Sequence, residues 1–206
     1  MNDLVREQLG DTLAVLRAVE ADAALHATLV EAAEATAHAM KAGRKLMVAG
    51  NGGSAADAQH LVAEFVSRLS EDRPAMRAIA LTTDTSILTA VGNDYGYERV
   101  FERQIEALGQ AGDVFIGIST SGNSPNVLRA LDLSRRLGIT TIGLSGRTGG
   151  KMPSLCDHCV RVPSEVTMHI QEAHLALEHI FCMIVERSYF GPERFAPAKG
   201  TAAHAG

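Results

Sequence analysis

Five short runs, at residues 46–49, 78–81, 114–119, 140–144 and 158–162, are apolar almost without interruption. A strand with one wet face alternates apolar and polar residues, whereas a strand covered by helices on both faces does not. Segments with helical spacing separate the runs, so the chain reads as α/β with a parallel sheet. Two further helices are predicted before the first strand. Leu9, Leu13, Leu16 and Val19 form one stripe, and Leu25, Leu29, Ala33, Ala37 and Met40 form a second. Both stripes are long for a small domain and can pack either within the monomer or against another subunit. A long last helix over about 164–189 is predicted to be capped at Ser164-Glu165 and carries Ile170, Leu175, Leu177, Phe181, Ile184 and Val185. Residues 1–190 read as one domain with an N-terminal helical extension. Residues 191–206, with Gly-Pro and Ala-Pro pairs, read as a disordered tail.

The third run leads directly into chemistry. Val114-Phe115-Ile116-Gly117-Ile118 passes into Ser119-Thr120-Ser121-Gly122-Asn123-Ser124-Pro125 and then into an amphipathic helix. Ser124 suits an N-cap and Pro125 the first helical position, so the free N–H groups of the first turn face the loop. Together with the hydroxyls of Ser119, Thr120, Ser121 and Ser124, they would hold an anion without Lys or Arg, helped by the partial positive charge of the helix end. The spacing is not G-x-x-x-x-G-K-[ST], so a nucleotide P-loop is not indicated. The alternative is an ordinary βα turn with Ser and Gly for turn chemistry. A second Gly-rich loop, Gly50-Asn51-Gly52-Gly53-Ser54, follows the first run. If the strand order is 2-1-3-4-5, these two loops flank the switch point at which ligands bind in open α/β sheets.

Composition limits the partners. The 206 residues carry a net charge of −5 with no basic block, which argues against nucleic acid or an anionic membrane. No apolar run approaches the roughly 18 residues of a membrane span and the start has no signal-peptide pattern, so the cytoplasm is the expected compartment. The three cysteines are expected to be reduced. Cys156-Asp157-His158-Cys159 has C-x-x-C spacing, yet it lacks a second pair for zinc and precedes a strand instead of opening a helix.

Other polar groups stand at helical spacing. His60 and Glu64, four apart, share a face and could be metal ligands or a base with its neighbour; alternatively they are a solvated surface pair. In the last helix Gln171, Glu172, His174, Glu178 and His179 interrupt an apolar pattern. Spacing alone favours His174 with Glu178 for a shared ligand, with a surface ion pair as the alternative. Gln171 and His179 lie about 12 Å apart along the axis and roughly 80° apart in direction, which is not an obvious chelate. Gly92-Asn93-Asp94-Tyr95-Gly96 reads as the C-cap and turn of a helix begun near Asp84. Asn93 and Asp94 could also bind hydroxyls.

Taken together, Asn51-Gly-Gly-Ser-Ala-Ala-Asp-Ala-Gln-His60, Glu64, Asn93-Asp94-Tyr-Gly, Ser119-Thr-Ser-Gly-Asn-Ser124 and Ile170-Gln-Glu-x-His174 to His179 resemble the bacterial phosphoheptose isomerases. Any one motif marks only the wider sugar isomerase (SIS) domain family; the ordered set is more specific and spans about residues 1–190. The resemblance implies a SIS fold, a doubly wound five-stranded parallel sheet in flavodoxin-like order 2-1-3-4-5. It also implies conversion of sedoheptulose 7-phosphate to D-glycero-D-manno-heptose 7-phosphate through an enediol, the first step of ADP- or GDP-heptose biosynthesis and a route toward lipopolysaccharide. By resemblance, zinc is bound by His60, Glu64, Gln171 and His179, against the preference from spacing, and the phosphate by Ser119, Thr120, Ser121 and Ser124. Asn51, Gly52, Gly53, Asn93 and Asp94 match sugar-contacting positions, with Glu64 and Gln171 also at the substrate. Glu64 is implied as the base and His179 as the acid, in a cytoplasmic homotetramer with active sites at subunit interfaces. Some SIS relatives are instead non-catalytic, including an adaptor that associates with the replication initiator DnaA. That adaptor lacks the carboxylate four residues after the histidine, which this chain has in Glu64. A sugar-phosphate-sensing regulator is weaker still, since no DNA-binding segment is appended.

Overall fold

In the computed structural model, which describes residues 1–191, every residue of β1 (Leu46–Gly50) is buried. Leu46 and Val48 point to one side of the sheet and Met47 and Ala49 to the other, so two separate cores form from one strand. β3 (Val114–Ser119) is likewise buried throughout, and β4 (Thr140–Ser145) nearly so. Two shorter strands, β2 (Ala78–Ala80) and β5 (His158–Arg161), form the edges. All neighbours pair in parallel in the order β2-β1-β3-β4-β5, with Gly50 opposite Ile118 and Ser119 opposite Ser145. The predicted α/β class and strand order are both observed.

Among the described residues seven α-helices cover the sheet. α1 (Asn2–Glu20), α2 (Ala23–Lys41), α3 (Gly53–Val66) and α7 (Thr167–Phe190) lie on the face lined by Leu46, Val48, Ile116 and Ile142. α4 (Thr85–Tyr95), α5 (Glu102–Leu108) and α6 (Pro125–Arg136) lie on the other, lined by Met47, Ala49 and Phe115. In α6 the residues Val127, Ala130, Leu131 and Ser134 are buried, an i, i+3, i+4, i+7 stripe that seats the helix on the sheet. A fully buried side chain such as Phe65, on α3, contributes about 1.5–3 kcal/mol by leaving water. The crossover after β1 thus goes to one face and that after β3 to the other. The gap between these two adjacent strands is the switch point.

Several local expectations change. α7 opens at Thr167, not Ser164, because the Ser164 hydroxyl accepts from Val166 N–H at 3.2 Å in a local turn and leaves no cap for the helix. α4 runs through Gly92, Asn93 and Asp94 to Tyr95 and stops at Gly96, whose φ of +89° breaks the helix. Its start agrees with the reading from sequence, since Asp84 accepts from Ile87 N–H at 2.9 Å. The α1 stripe is covered at Val19 but open at Leu9 (60% exposed) and Leu13 (52%), so this chain does not bury it. Among the described residues no helix is long and apolar enough to cross a membrane. The tail expected to be disordered falls, beyond Gly191, outside the described residues.

Candidate active site and metal centre

Three ionisable side chains converge where α3 meets α7. His60 Nε2 lies 2.8 Å from His179 Nε2 and 3.6 Å from Glu64 Oε1, and one ligand atom from each residue falls within 4.8 Å of the others. The two imidazoles meet edge to face with centroids 5.0 Å apart. Two lone pairs cannot face each other at 2.8 Å, so either one ring carries the proton or a cation sits between them. Two imidazole nitrogens and a carboxylate oxygen form a donor set suited to zinc, whose ligand atoms at about 2.0–2.2 Å from a tetrahedral metal stand roughly 3.3–3.6 Å from one another, within the 2.8–4.8 Å spread of these atoms. The donor set therefore fits a divalent metal.

The partners of this cluster are held from behind. The buried Arg73 guanidinium donates to the carbonyls of Glu64 and Phe65 at the end of α3, and pairs with buried Glu186 on α7. It bonds the Glu64 carbonyl at the helix end, shares the Phe65 carbonyl with Met76 N–H, and fixes the helix that carries Glu64 against the helix that carries His179. Gln171 directs its amide at the start of α3. A Cβ on Gly53 would come within 2.5 Å of Gln171 Nε2, and that nitrogen donates to Ser54 Oγ at 3.5 Å. A side chain at position 53 would displace the Gln171 amide from this approach.

The hydroxyl loop folds into a compact turn. Ser119 Oγ is 2.8 Å from Ser124 Oγ and 3.5 Å from Ser121 Oγ, while Gly122 N–H donates to Ser119 O at 2.9 Å. Ser124 occupies the N-cap position with Pro125 at the first helical position, as predicted. Its hydroxyl, however, does not cap α6; it turns to Ser119 and remains among the loop hydroxyls. Behind the turn, Gly146 N–H donates to Thr120 O at 2.9 Å and Lys151 N–H to Gly122 O at 3.0 Å.

Asn51 and Asn126 link the two loops. Each side-chain amide donates to the other's oxygen, at 2.9 Å and 2.8 Å, and the Tyr97 hydroxyl reaches Asn51 Oδ1 at 3.4 Å. Tyr97 belongs to the 3₁₀ turn (Tyr97–Arg99) that follows α4, and Asn93 and Asp94 stand exposed in the last turn of that helix, bonded to each other at 2.7 Å. Asn126 and Tyr97 were not singled out in the sequence. The visible signal for Asn126 was a polar residue at the second position of a helix whose face is otherwise seated on the sheet.

The spacing-based preference for His174 with Glu178 is not what the structure brings together at the surface. Both are buried: His174 Nε2 pairs with Ser145 O at 3.2 Å, and neither Glu178 oxygen has a protein partner. Burial depresses His174 to a pKa of about 4 and pushes Glu178 up to about 8, with the nearby Asp57 charge adding to the latter. The surface ion pair considered for these two is excluded by their burial. The C-x-x-C thiols are free, as expected, and a Cβ on Gly143 of β4 would come within 2.8 Å of Cys156 Sγ and 3.3 Å of Cys159 Sγ.

Comparison with known proteins fits this arrangement. The family model described as SIS domain matches residues 10–146. A phosphoheptose isomerase of Aneurinibacillus thermoaerophilus is 51% identical over 190 residues, covering 92% of this chain and 96% of the relative. Phosphoheptose isomerase 2 of Campylobacter jejuni is 53% identical over 191 residues, covering 93% and 95%. Among solved structures, a phosphoheptose isomerase of Neisseria gonorrhoeae superposes with a TM-score of 0.84 at 40% identity, covering 90% of this chain and 98% of the other. With a SIS-domain match over most of its length and close likeness to these enzymes in both sequence and fold, the chain belongs to the phosphoheptose isomerases of the SIS-domain family.

Proposed function

We propose that the chain interconverts sedoheptulose 7-phosphate and D-glycero-D-manno-heptose 7-phosphate. The observation that supports this reading is the convergence of His60, Glu64 and His179 between α3, the helix that follows the loop after β1, and α7, with the hydroxyl loop following β3, the strand next to β1. A ketose–aldose exchange moves one proton between C1 and C2 and another between the two oxygens, so it needs a base at carbon and an acid–base at oxygen. Glu64 is assigned to the carbon-bound proton and His179 to the oxygens. Ser119, Thr120, Ser121 and Ser124 hold the phosphate at one end of the extended sugar. Asn93, Asp94 and the Asn51–Gly53 loop meet its hydroxyls, and Gln171 reaches from α7 toward Gly53 and Ser54.

His60, Glu64, Gln171 and His179 would hold a zinc ion, whose bound contribution is Lewis-acid polarisation of the sugar carbonyl. A homotetramer with active sites at its interfaces, in the cytoplasm, is part of the same reading, and the uncovered apolar stripe of α1 at Leu4, Val5, Leu9 and Leu13 supports assembly. The non-catalytic adaptor alternative is not favoured, because Glu64 completes the acid–base set and the close relatives bear the names of enzymes.

The test is incubation of the purified protein with sedoheptulose 7-phosphate, before and after chelator treatment and zinc restoration, with detection of the aldoheptose phosphate. Turnover by the metal-replete protein is expected. No product from it would move the adaptor reading ahead.

A further inference from the structure

We propose that Asn126 is a positioning residue that sets the spacing between the phosphate loop and the helix bearing His60 and Glu64, and that the Asn51 side chain acts through it. The inference rests on the isomerase reading above. Asn126 is 2% exposed, at the second position of α6, and both polar atoms of its side chain are engaged. Its Oδ1 accepts from Asn51 Nδ2 at 2.9 Å and from Val127 N–H at 3.0 Å, and its Nδ2 donates to Asn51 Oδ1 at 2.8 Å. Two antiparallel amide bonds fix both distance and orientation, as one bond cannot. They join the loop after β1 to the start of α6, the two segments whose helices leave on opposite faces of the sheet.

The β1–β3 ladder ends with Gly50 opposite Ile118, and beyond it the side-chain bridge holds the two segments in register. The bridge occupies both polar atoms of the Asn51 amide, with the Tyr97 hydroxyl as a third neighbour. In this arrangement the sugar meets the backbone of the Asn51–Gly53 loop, and the Asn51 side chain serves the bridge. The reacting carbons of a seven-carbon chain lie far from the phosphate that anchors it. A shift between anchor and base therefore acts on the chemical step more than on binding, and a displacement of about 1 Å is enough to cost roughly a hundredfold.

Asn126→Asp tests this. It keeps the size and the oxygen that accepts from Val127, and removes the donor to Asn51. The expected result is a kcat lowered roughly tenfold to a hundredfold, with KM within about threefold of the unaltered enzyme and the fold intact. Asn51→Ala breaks the same bridge from its half-buried side and should lower kcat similarly. The double variant should be no worse than the poorer single, because both remove one unit. An unchanged kcat in either single variant overturns the proposal, as do multiplying losses in the double, which would give Asn51 its own contact with the sugar. If Asn126→Asp does not fold, Asn51→Ala still decides: an unchanged kcat overturns the bridge and a fall in kcat at constant KM supports it. The unaltered enzyme run alongside separates the two readings, since its inactivity would refute isomerase function and leave the bridge with nothing to position.

Discussion

Gly122→Ala probes the proposed phosphate loop at its tightest point. Gly122 has a φ of +64°, and a Cβ there would lie 1.8 Å from Gly149 O, 2.3 Å from Gly149 C and 2.8 Å from Gly150 N, all of them backbone atoms. Since real Cβ contacts do not fall below 3.0 Å, the hydroxyl turn and the 149–150 turn must part by about 1 Å or more. The left-handed backbone costs alanine about 1–2 kcal/mol. Parting also weakens the Lys151 N–H bond to Gly122 O, worth about 1 kcal/mol net. A loss of about 2–3 kcal/mol corresponds to a Tm lower by roughly 4–12 °C for a chain of this size. Hydrogen bonds to a charged phosphate are worth about 1.5–3 kcal/mol each, so misplacing even one hydroxyl predicts a kcat/KM for sedoheptulose 7-phosphate lower by roughly tenfold to a hundredfold. Gly138→Ala is the control: its φ is +71°, but the nearest atom to a Cβ is Ala111 Cβ at 3.6 Å, so it carries the backbone cost without the clash. Steady-state kinetics and thermal unfolding of both variants are the assay. A Gly122→Ala enzyme with kcat/KM within threefold of the unaltered protein would refute the reasoning.

Glu64→Gln keeps the size of the side chain but cannot take the carbon-bound proton, so turnover should fall at least about a hundredfold with folding retained. Elemental analysis separates the two roles proposed for Glu64: zinc kept with turnover lost supports proton abstraction, and near-normal turnover removes Glu64 as the base. Glu178 holds its proton in the fold up to a pKa of about 8, whereas the unfolded chain releases it near 4.5, so this group lowers stability progressively as pH rises from about 4.5 to 8. His174, neutral in the fold down to about 4, has the opposite slope below 6.5. Urea unfolding at pH 6.5 and pH 8 should therefore show a loss at the higher pH that Glu178→Gln abolishes; the same loss in the variant would refute the assignment. The Cys156 thiol hydrogen-bonds Cys159 and lowers it to about 7, while burial pushes Cys182 up. Iodoacetamide should label Cys159 first, at a rate rising through pH 7, as read by peptide mass spectrometry, and preferential labelling of Cys182 would contradict this.

What the sequence determined by itself is the part governed by local rules. The nearly continuous apolar runs of β1, β3 and β4, separated by helical segments, are the mark of strands covered on both faces, and they give the α/β class directly. Ser124-Pro125 places the start of α6 to the residue, because proline's fixed φ suits the first helical position and its missing N–H costs nothing there. The tertiary structure decided which polar residues of α7 meet. His174 with Glu178, and His179 with a partner elsewhere, are both compatible with helical spacing. The rotation of α7 against the sheet selects between them, turning His174 and Glu178 into the core and His179 toward His60, 119 residues away in sequence. The same holds for Asn51 and Asn126, 75 residues apart, which pair because β1 and β3 are adjacent parallel strands. Side-chain periodicity tells which residues share a helix face, but only packing of that helix on its neighbours determines whether the face meets water, core or another side chain.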